Sequence, residues 1–352
     1  MDRMTPVSPS ADYTEVAYDV RDWVARITIN REHAYNAYST LTLVELADAF
    51  RRAAFDDHVA VIVFSGAGTR AFCTGGDVKE YADRYTSRPR DYWKYMVLFG
   101  AYIESILNAG KPVIARLNGM AVGGGNESQL ACDLSVMAEH AYIKQVGTSV
   151  GSVAAGGSTQ WLPLFVGDRR ARYILMTNRV ISPQQALAWG LVNEVVPSVV
   201  RQGKFIENAT PDQIRAAQKG EDGYAVDLTR LDEHVQALAD ELIEKFPECM
   251  RYTKQQVNFW KDLAWHQTIG HARDWLSIHY TSREPLEGMS AFVEKRPVDY
   301  LKLRRLAAEG GSSEFRWGAY QKTCPHCGAT DLPADFTHCG QCGKPLSEGA
   351  AK

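Results

Sequence analysis

The 352-residue chain has no apolar run approaching the roughly 18 residues that a membrane-spanning helix needs, so no membrane partner is expected. It also lacks a strong charge of either sign. A net charge of −3 gives no electrostatic case for nucleic acid or an anionic membrane as the main partner. Residues Met1 to Tyr13 are polar, without the apolar stretch of a secretory signal, and a cytoplasmic protein is the expectation. Internal repeats and low-complexity segments are missing too. Neither glycine run is a Gly-x-Gly-x-x-Gly opening a helix and no Lys-Ser or Lys-Thr follows, which sets aside NAD binding and nucleotide hydrolysis. With 45% hydrophobic and 23% charged residues, the composition is that of a soluble globular protein with room for about two domains and a small module.

Cysteine is scarce, with seven in all. Cys73, Cys132 and Cys249 are scattered in apolar segments and read as buried thiols. Cys324, Cys327, Cys339 and Cys342 form two Cys-x-x-Cys pairs in a short tail, each followed by a glycine (Gly328, Gly343). Each pair suits a tight turn that presents two thiolates to one metal, and the short gap allows a tetrahedral four-sulfur site. Two disulfides fit poorly with the missing secretory signal. A structural zinc ribbon is therefore expected over 318–347, with His326 and His338 as bystanders. The tail carries few basic residues (Lys322, Lys344) beside Asp331, Asp335 and Glu348, which favours a protein partner or a structural role over nucleic acid.

Two glycine stretches carry the chemistry. Gly123-Gly124-Gly125-Asn126-Glu127 follows the apolar run Pro112 to Ala115 and leads into Ser128-Gln129-Leu130-Ala131-Cys132. Without a Cβ the backbone can approach a ligand closely, and the first amides of a helix starting there are unpaired. Such amides can stabilise negative charge developing on a carbonyl oxygen, with Glu127 beside them as a potential acid or base. Arg70-Ala71-Phe72-Cys73-Thr74-Gly75-Gly76-Asp77 repeats the pattern after the strand-like Val59 to Ser65. One glycine-flanked amide from each stretch is what an oxyanion site for a thioester carbonyl requires.

These paired motifs resemble the crotonase superfamily of enoyl-CoA hydratases and isomerases, from about Tyr13 to about Leu306. The resemblance implies an α/β fold: a spiral of ββα turns over 13–225, then a helical trimerisation region over 226–309. It implies a homo-trimer or hexamer acting on an acyl-CoA, with coenzyme A arriving as part of the substrate. The amides of Gly76 and Gly124 would form the oxyanion hole and Glu127 would match the first catalytic glutamate of the hydratases. CoA and substrate contacts would fall on His33, Ala34 and Tyr35, on Cys73, Thr74, Gly75, Asp77 and Val78, and on Gly123, Gly147 and Thr148. Hydratases carry a second glutamate in a Gln-Pro-Glu segment; this chain reads Gln145-Val146-Gly147-Thr148-Ser149, with glycine in that place. A glycine cannot transfer a proton, and it is expected to free volume that a ring could use. The segment Gly147 to Gly167 looks like the ring-opening 6-oxocyclohex-1-ene-1-carbonyl-CoA hydrolases, which implies hydration and C–C hydrolysis of a cyclic oxoacyl-CoA. The alternatives are an enoyl-CoA hydratase on a cyclic dienoyl-CoA, or a non-catalytic acyl-CoA-binding scaffold.

Along the chain, Ala25, Ile27 and Ile29 alternate with Val24, Arg26 and Thr28 as in a strand, and Leu43, Leu46, Ala47 and Phe50 recur at helical spacing. Tyr95, Phe99, Tyr102, Ile103 and Ile106 mark a long helix. Val200 to Thr229 is polar and glycine-dotted and reads as an insertion or linker. Val235, Leu238, Leu242 and Phe246 then restore helical periodicity, and Ala308 to Ser313 reads as a flexible linker. Asp77 is expected to cap a helix. Tyr81 and Tyr85, one turn apart, could each donate to a ring ketone, although aromatics at that spacing usually pack in a core. Gly147 to Gly151 also satisfies the Gly-x-Ser-x-Gly nucleophile pattern, but the residues that follow do not open an amphipathic helix and no Asp and His partners stand out for Ser149.

Overall fold

The computed structural model describes residues 13–311, 320–330, 332–333 and 336–346. Strands β1 (Val16–Arg21) and β2 (Val24–Ile29) form an antiparallel hairpin in the register Val16↔Ile29 to Arg21↔Val24. Its two turn residues, Asp22 and Trp23, both have positive φ, which lets a two-residue turn follow the twist of its strands. Ala25, Ile27 and Ile29 are fully buried while Arg26 and Thr28 are partly exposed, as the alternation predicts, but Val24 at the start of the strand is fully buried too. Helix α1 (Thr40–Phe55) follows, opened by a capping box between Ser39 and Thr42 and burying Leu43, Leu46 and Phe50.

The chain then supplies strands in pairs. They are β3 (Val61–Gly66) and β4 (Ala71–Cys73), β5 (Val113–Leu117) and β6 (Met120–Val122), β7 (Leu134–Ala138) and β8 (Ile143–Lys144), with β9 (Glu194–Val196) later. The first member of each pair joins the sheet β1-β2-β3-β5-β7-β9, parallel apart from the edge hairpin, and the second joins the parallel sheet β4-β6-β8. Between the β3/β4 and β5/β6 pairs lie α2 (Val78–Glu80), a π-helical turn at Tyr81–Tyr85, and α3 (Pro89–Leu107); α4 (Gly124–Ala131) precedes β7. This is the spiral of strand–strand–helix turns that the resemblance implies. Every residue of β3 is buried because both of its faces are covered. Tyr95, Phe99, Tyr102, Ile103 and Ile106 are all buried on α3.

Two segments differ from expectation. Of the two readings of Val200 to Thr229, the linker fails and the insertion stands: Val199–Arg201, Lys204–Phe205 and Tyr224–Val226 pair as an antiparallel sheet, covered by the helix Pro211–Lys219. Its glycines Gly203, Gly220 and Gly223 sit at positive φ, where they make turns. Phe246 lies beyond the helix Thr229–Ile243 and is 81% exposed, because Pro247 opens the next helix and disfavours a helical residue before it. Cys249, expected to be buried, is exposed on that next helix.

The C-terminal part is helical through Phe259–His279, Arg283–Glu294 and Tyr300–Ala308. Trp265 anchors it to α3 by donating to Glu104 at 2.9 Å, and stacks on Trp161 with ring centroids 5.4 Å apart. The expected linker begins where the last helix ends, and residues 312–319 lie outside the described residues. Beyond them a small hairpin, Tyr320–Lys322 with Leu332–Pro333, carries the tail cysteines. Among the described residues no helix is long and apolar enough to cross a membrane.

Candidate active site

Because β4 and β6 are neighbours, with Ala71 opposite Met120 and Cys73 opposite Ala121, the chain leaves both strands on the same edge of one sheet. The two glycine runs therefore meet. Gly75 (φ +85°) and Gly123 (φ +56°) take backbone conformations that side chains rarely tolerate, and a Cβ on Gly75 would lie 2.8 Å from the Gly124 nitrogen. The Gly76 peptide is fixed from across the fold: the Tyr38 amide donates to the Gly75 carbonyl at 2.9 Å, and the Asp77 amide donates to the Tyr38 carbonyl at 3.0 Å. Asp77 then caps α2 by accepting from the Lys79 and Glu80 amides, and pairs with Arg31 at 3.0 Å. Among the described residues, neither the Gly76 amide nor the Gly124 amide has an acceptor in the protein. Two free donors side by side suit a developing oxyanion.

Helix α4 starts at Gly124, which puts Glu127 in its first turn. Glu127 is only 6% exposed. Its Oε1 accepts from the Gly156 amide at 3.1 Å and the Ser158 amide at 3.2 Å. Burial pushes its carboxyl up to about 7, against the pull of those two amides. A carboxyl near neutrality can both give and take a proton at working pH.

Glu127 and the glycine pair line one cavity of about 100 Å³, together with Thr74, Gly75, Val78, Gly123 and Gly147. Among the described residues Glu127 is the one carboxylate on its wall. Four phenols line it as well, Tyr38, Tyr81, Tyr92 and Tyr95, and so does Ser152. Gln145, from the end of β8, reaches it too; its Nε2 donates to the Gly123 carbonyl at 3.2 Å and to Ser158 Oγ at 2.6 Å, while its buried Oε1 has no partner. Tyr38 and Gln145 are site residues that motif matching alone does not find. Tyr38 could be found only by pairing its segment with Gly76, and Gln145 only by following β8 out of the sheet.

Other expected site residues stand elsewhere. The Thr148 hydroxyl donates to Asn178 at 2.8 Å and is not part of the cavity wall, because it turns toward the 168–177 helix end. Cys73 lies behind the wall, its thiol accepting from the Gly75 amide at 3.3 Å and pushed up to about 12 by burial, so it is an inert packing thiol. Gly147 is on the wall, but the room its missing side chain leaves is taken by main chain: a Cβ there would sit 3.0 Å from the Ser152 carbonyl oxygen and 3.3 Å from the Ala154 nitrogen. His33, Ala34 and Tyr35 form a 3-10 turn and its left-handed cap outside the cavity. Tyr35 is tied to the Thr74 hydroxyl through its carbonyl at 3.2 Å, and the Arg70 guanidinium lies 4.3 Å over its ring. Ser149 is no activated nucleophile: its hydroxyl donates to the Val146 carbonyl at 2.7 Å, and no histidine bonds to it among the described residues. Tyr85 hydrogen-bonds the Thr40 hydroxyl instead of facing the cavity.

In the tail, the sulfurs of Cys324, Cys327, Cys339 and Cys342 all lie within 4.8 Å of one another, and none is in a disulfide. Gly328 and Gly343 take positive φ and donate back to the Cys324 and Cys339 carbonyls at 3.0 and 2.8 Å, closing the two turns. The Cys324–Cys342 and Cys327–Cys339 sulfurs are 3.6 and 3.7 Å apart. Four sulfurs about 2.3 Å from a tetrahedral zinc would be separated by about 3.8 Å, so the donor set fits that ion.

A spiral of strand pairs that aims two free amides and a buried glutamate into one cavity defines a CoA-thioester site of the crotonase type. The chain belongs to the enoyl-CoA hydratase/isomerase family, whose model matches residues 19–212. It is 36% identical over 311 residues to a 6-oxocyclohex-1-ene-1-carbonyl-CoA hydrolase of Geobacter metallireducens, covering 81% of both chains. It is 34% identical over 309 residues to the protein of that name from Thauera aromatica, covering 81% of this chain and 82% of the relative. Among solved structures, an enoyl-CoA hydratase from Bacillus anthracis matches with TM-score 0.58 at 29% identity, over 82% of this chain and 99% of that one. One from Mycobacterium avium subsp. paratuberculosis shares the fold with TM-score 0.66 at 22% identity, over 82% and 98%. The protein is thus a crotonase-family enzyme.

Proposed function

We propose that this enzyme opens the ring of a cyclic β-oxoacyl-CoA, a substrate similar to 6-oxocyclohex-1-ene-1-carbonyl-CoA. The observation that carries this reading is the cavity wall, with a single carboxylate, two free amides, four phenols, and Thr74, Gln145 and Ser152 as its other polar side chains. A linear enoyl-CoA hydratase working with two carboxylates would want a second one, and glycine stands at position 147. The two relatives named 6-oxocyclohex-1-ene-1-carbonyl-CoA hydrolase point the same way.

In this reading the thioester oxygen sits between the Gly76 and Gly124 amides. Water adds to the conjugated double bond, Glu127 taking its proton and returning one to carbon. A second water attacks the ring ketone and the C–C bond breaks, the ketone carbon becoming a carboxyl group. The electron pair moves onto the thioester as an enolate, which the same two amides hold until carbon is protonated. Coenzyme A is bound as part of the substrate, with the 33–35 turn and the Thr74 to Val78 segment on its path. The exposed apolar residues of the C-terminal helices, among them Trp260, Ile278 and Phe292, support assembly as a trimer or hexamer. The four tail cysteines hold one structural zinc in a ribbon, a separable unit over 318–347 behind the spiral core (13–225) and helical region (226–309).

Mass spectrometry of the product tests the reading. Ring opening after hydration adds two waters to the cyclic 6-oxocyclohexene-type thioester. A product carrying one added water and an intact ring identifies a cyclic enoyl-CoA hydratase instead.

A further inference from the structure

The hydroxyls of Tyr38 and Tyr81 stand against the two oxyanion glycines. A Cβ built on Gly124 would overlap the Tyr38 hydroxyl oxygen, and one on Gly76 would overlap that of Tyr81. Each phenol therefore lies directly against the α-carbon whose amide faces the cavity. Both rings are held in place. Tyr38 packs on Phe99 and Tyr102 with centroids 5.7 and 6.2 Å away, and Tyr81 meets Tyr95 and Tyr280 edge-on at 5.2 and 6.2 Å.

Their hydrogen bonding is incomplete. Tyr38 is 2% exposed, lines the cavity, and has no partner for its hydroxyl among the described residues. Tyr81 pairs only with the Tyr95 hydroxyl, at 2.7 Å. If Tyr95 donates in that pair, the Tyr81 proton is free to face the cavity. A hydroxyl with no partner in the protein that opens onto a cavity is placed to donate to whatever fills that cavity. Burial holds both phenols well above their ordinary value, so both remain protonated donors.

We infer that the Tyr38 and Tyr81 hydroxyls form a second oxygen-binding subsite beside the oxyanion amides, selecting acyl-CoA thioesters that carry a β-oxygen. The inference rests on the thioester occupying the Gly76/Gly124 amides as proposed above. A β-oxo thioester has its two carbonyls on either side of one carbon and can turn both oxygens to the same side. With the thioester oxygen on the amides, the β-oxygen then meets the neighbouring phenols. When water adds to the β-carbonyl carbon, the π pair moves onto that oxygen, where the phenols donate. When the C–C bond breaks, its pair moves onto the thioester oxygen at the amides. The phenols keep their protons throughout and act by donating hydrogen bonds.

The test compares acetoacetyl-CoA with butyryl-CoA, which differ only in the β-oxygen, by calorimetric titration of the full-length enzyme, Tyr38→Phe and Tyr81→Phe. The wild type should prefer acetoacetyl-CoA, and each substitution should cut that preference about five- to tenfold, the loss of one neutral hydrogen bond. Butyryl-CoA binding reports whether a variant has kept its fold, and if one variant binds neither ligand the other decides. A wild type without preference, or a preference unchanged in both variants, overturns the subsite while leaving the acyl-CoA reading standing. A wild type that binds neither thioester overturns the acyl-CoA reading and the subsite with it.

Discussion

Replacing Glu127 with glutamine separates its proton chemistry from its structural role. Glutamine keeps an oxygen for the Gly156 and Ser158 amides, which Oε1 now accepts at 3.1 and 3.2 Å, but it cannot exchange a proton. Loss of a positioned acid or base costs about 10²–10⁴-fold in rate, so turnover should fall at least about a hundredfold while CoA-ester binding persists. The wild-type rate should fall as pH drops through about 7, where burial places this carboxyl, and the variant should lose that limb. Stability moves the other way. The native carboxyl holds its proton up to about 7, whereas the unfolded one releases it near 4.5, so between those values the native state binds more protons. Wild-type stability therefore declines as pH rises through that window. At about 1.36 kcal/mol per pH unit the full decline is about 3 kcal/mol, and Glu127→Gln is free of it. Thermal melts at pH 5 and pH 8 should thus show the variant gaining on the wild type at the higher pH. Near-normal turnover would remove Glu127 from the mechanism, and a parallel pH dependence of the two melting curves would refute its buried, proton-holding state.

Gly147 leaves no second carboxylate in the cavity, so crotonyl-CoA hydration should be slow compared with turnover of a cyclic thioester; equal rates in a steady-state assay would refute the ring-opening reading. Gly125→Ala should lower the melting temperature, since its Cβ would overlap the Cys73 carbonyl oxygen, an overpacking that costs about 1–3 kcal/mol. The full-length protein should carry one zinc per chain by metal analysis, and chelation should unfold the tail while the thioester chemistry continues. Truncation after Arg316 should remove the metal and keep the activity; loss of all activity would show that the tail is part of the active enzyme.

What could be read from the sequence is what the backbone itself demands. Gly75, Gly76, Gly123 and Gly124 are visible because close approach and positive φ exclude a side chain at or near them, and that requirement is written locally. The same holds for the strand alternation at Ala25, Ile27 and Ile29, for the buried stripe on α3, and for the Asp77 cap. Val200 to Thr229 misled for a related reason: turn glycines in a short antiparallel sheet have the same composition as those of a linker, and only the pairing of Val199–Arg201 with Tyr224–Val226 tells them apart.

Residues whose role depends on what arrives from a distant segment were not legible. Gly147 shows where a carboxylate is missing, but the loop at Ser152 to Ala154 occupies the room it leaves, so the absence of a side chain does not by itself make space for a ring. Thr148 belongs to the family's binding stretch by position, yet Asn178 captures its hydroxyl. Tyr38 shows the converse. The resemblance marks the neighbouring 33–35 turn but not Tyr38 itself, which enters the site because its backbone bridges to Gly76 across the fold. That bridge sets the Gly76 peptide and also aims the Tyr38 ring at Gly124. The two free amides and the phenol beside them are therefore one construction, and on the proposed function a substitution that shifted the 35–39 turn should disturb thioester and β-oxygen binding together.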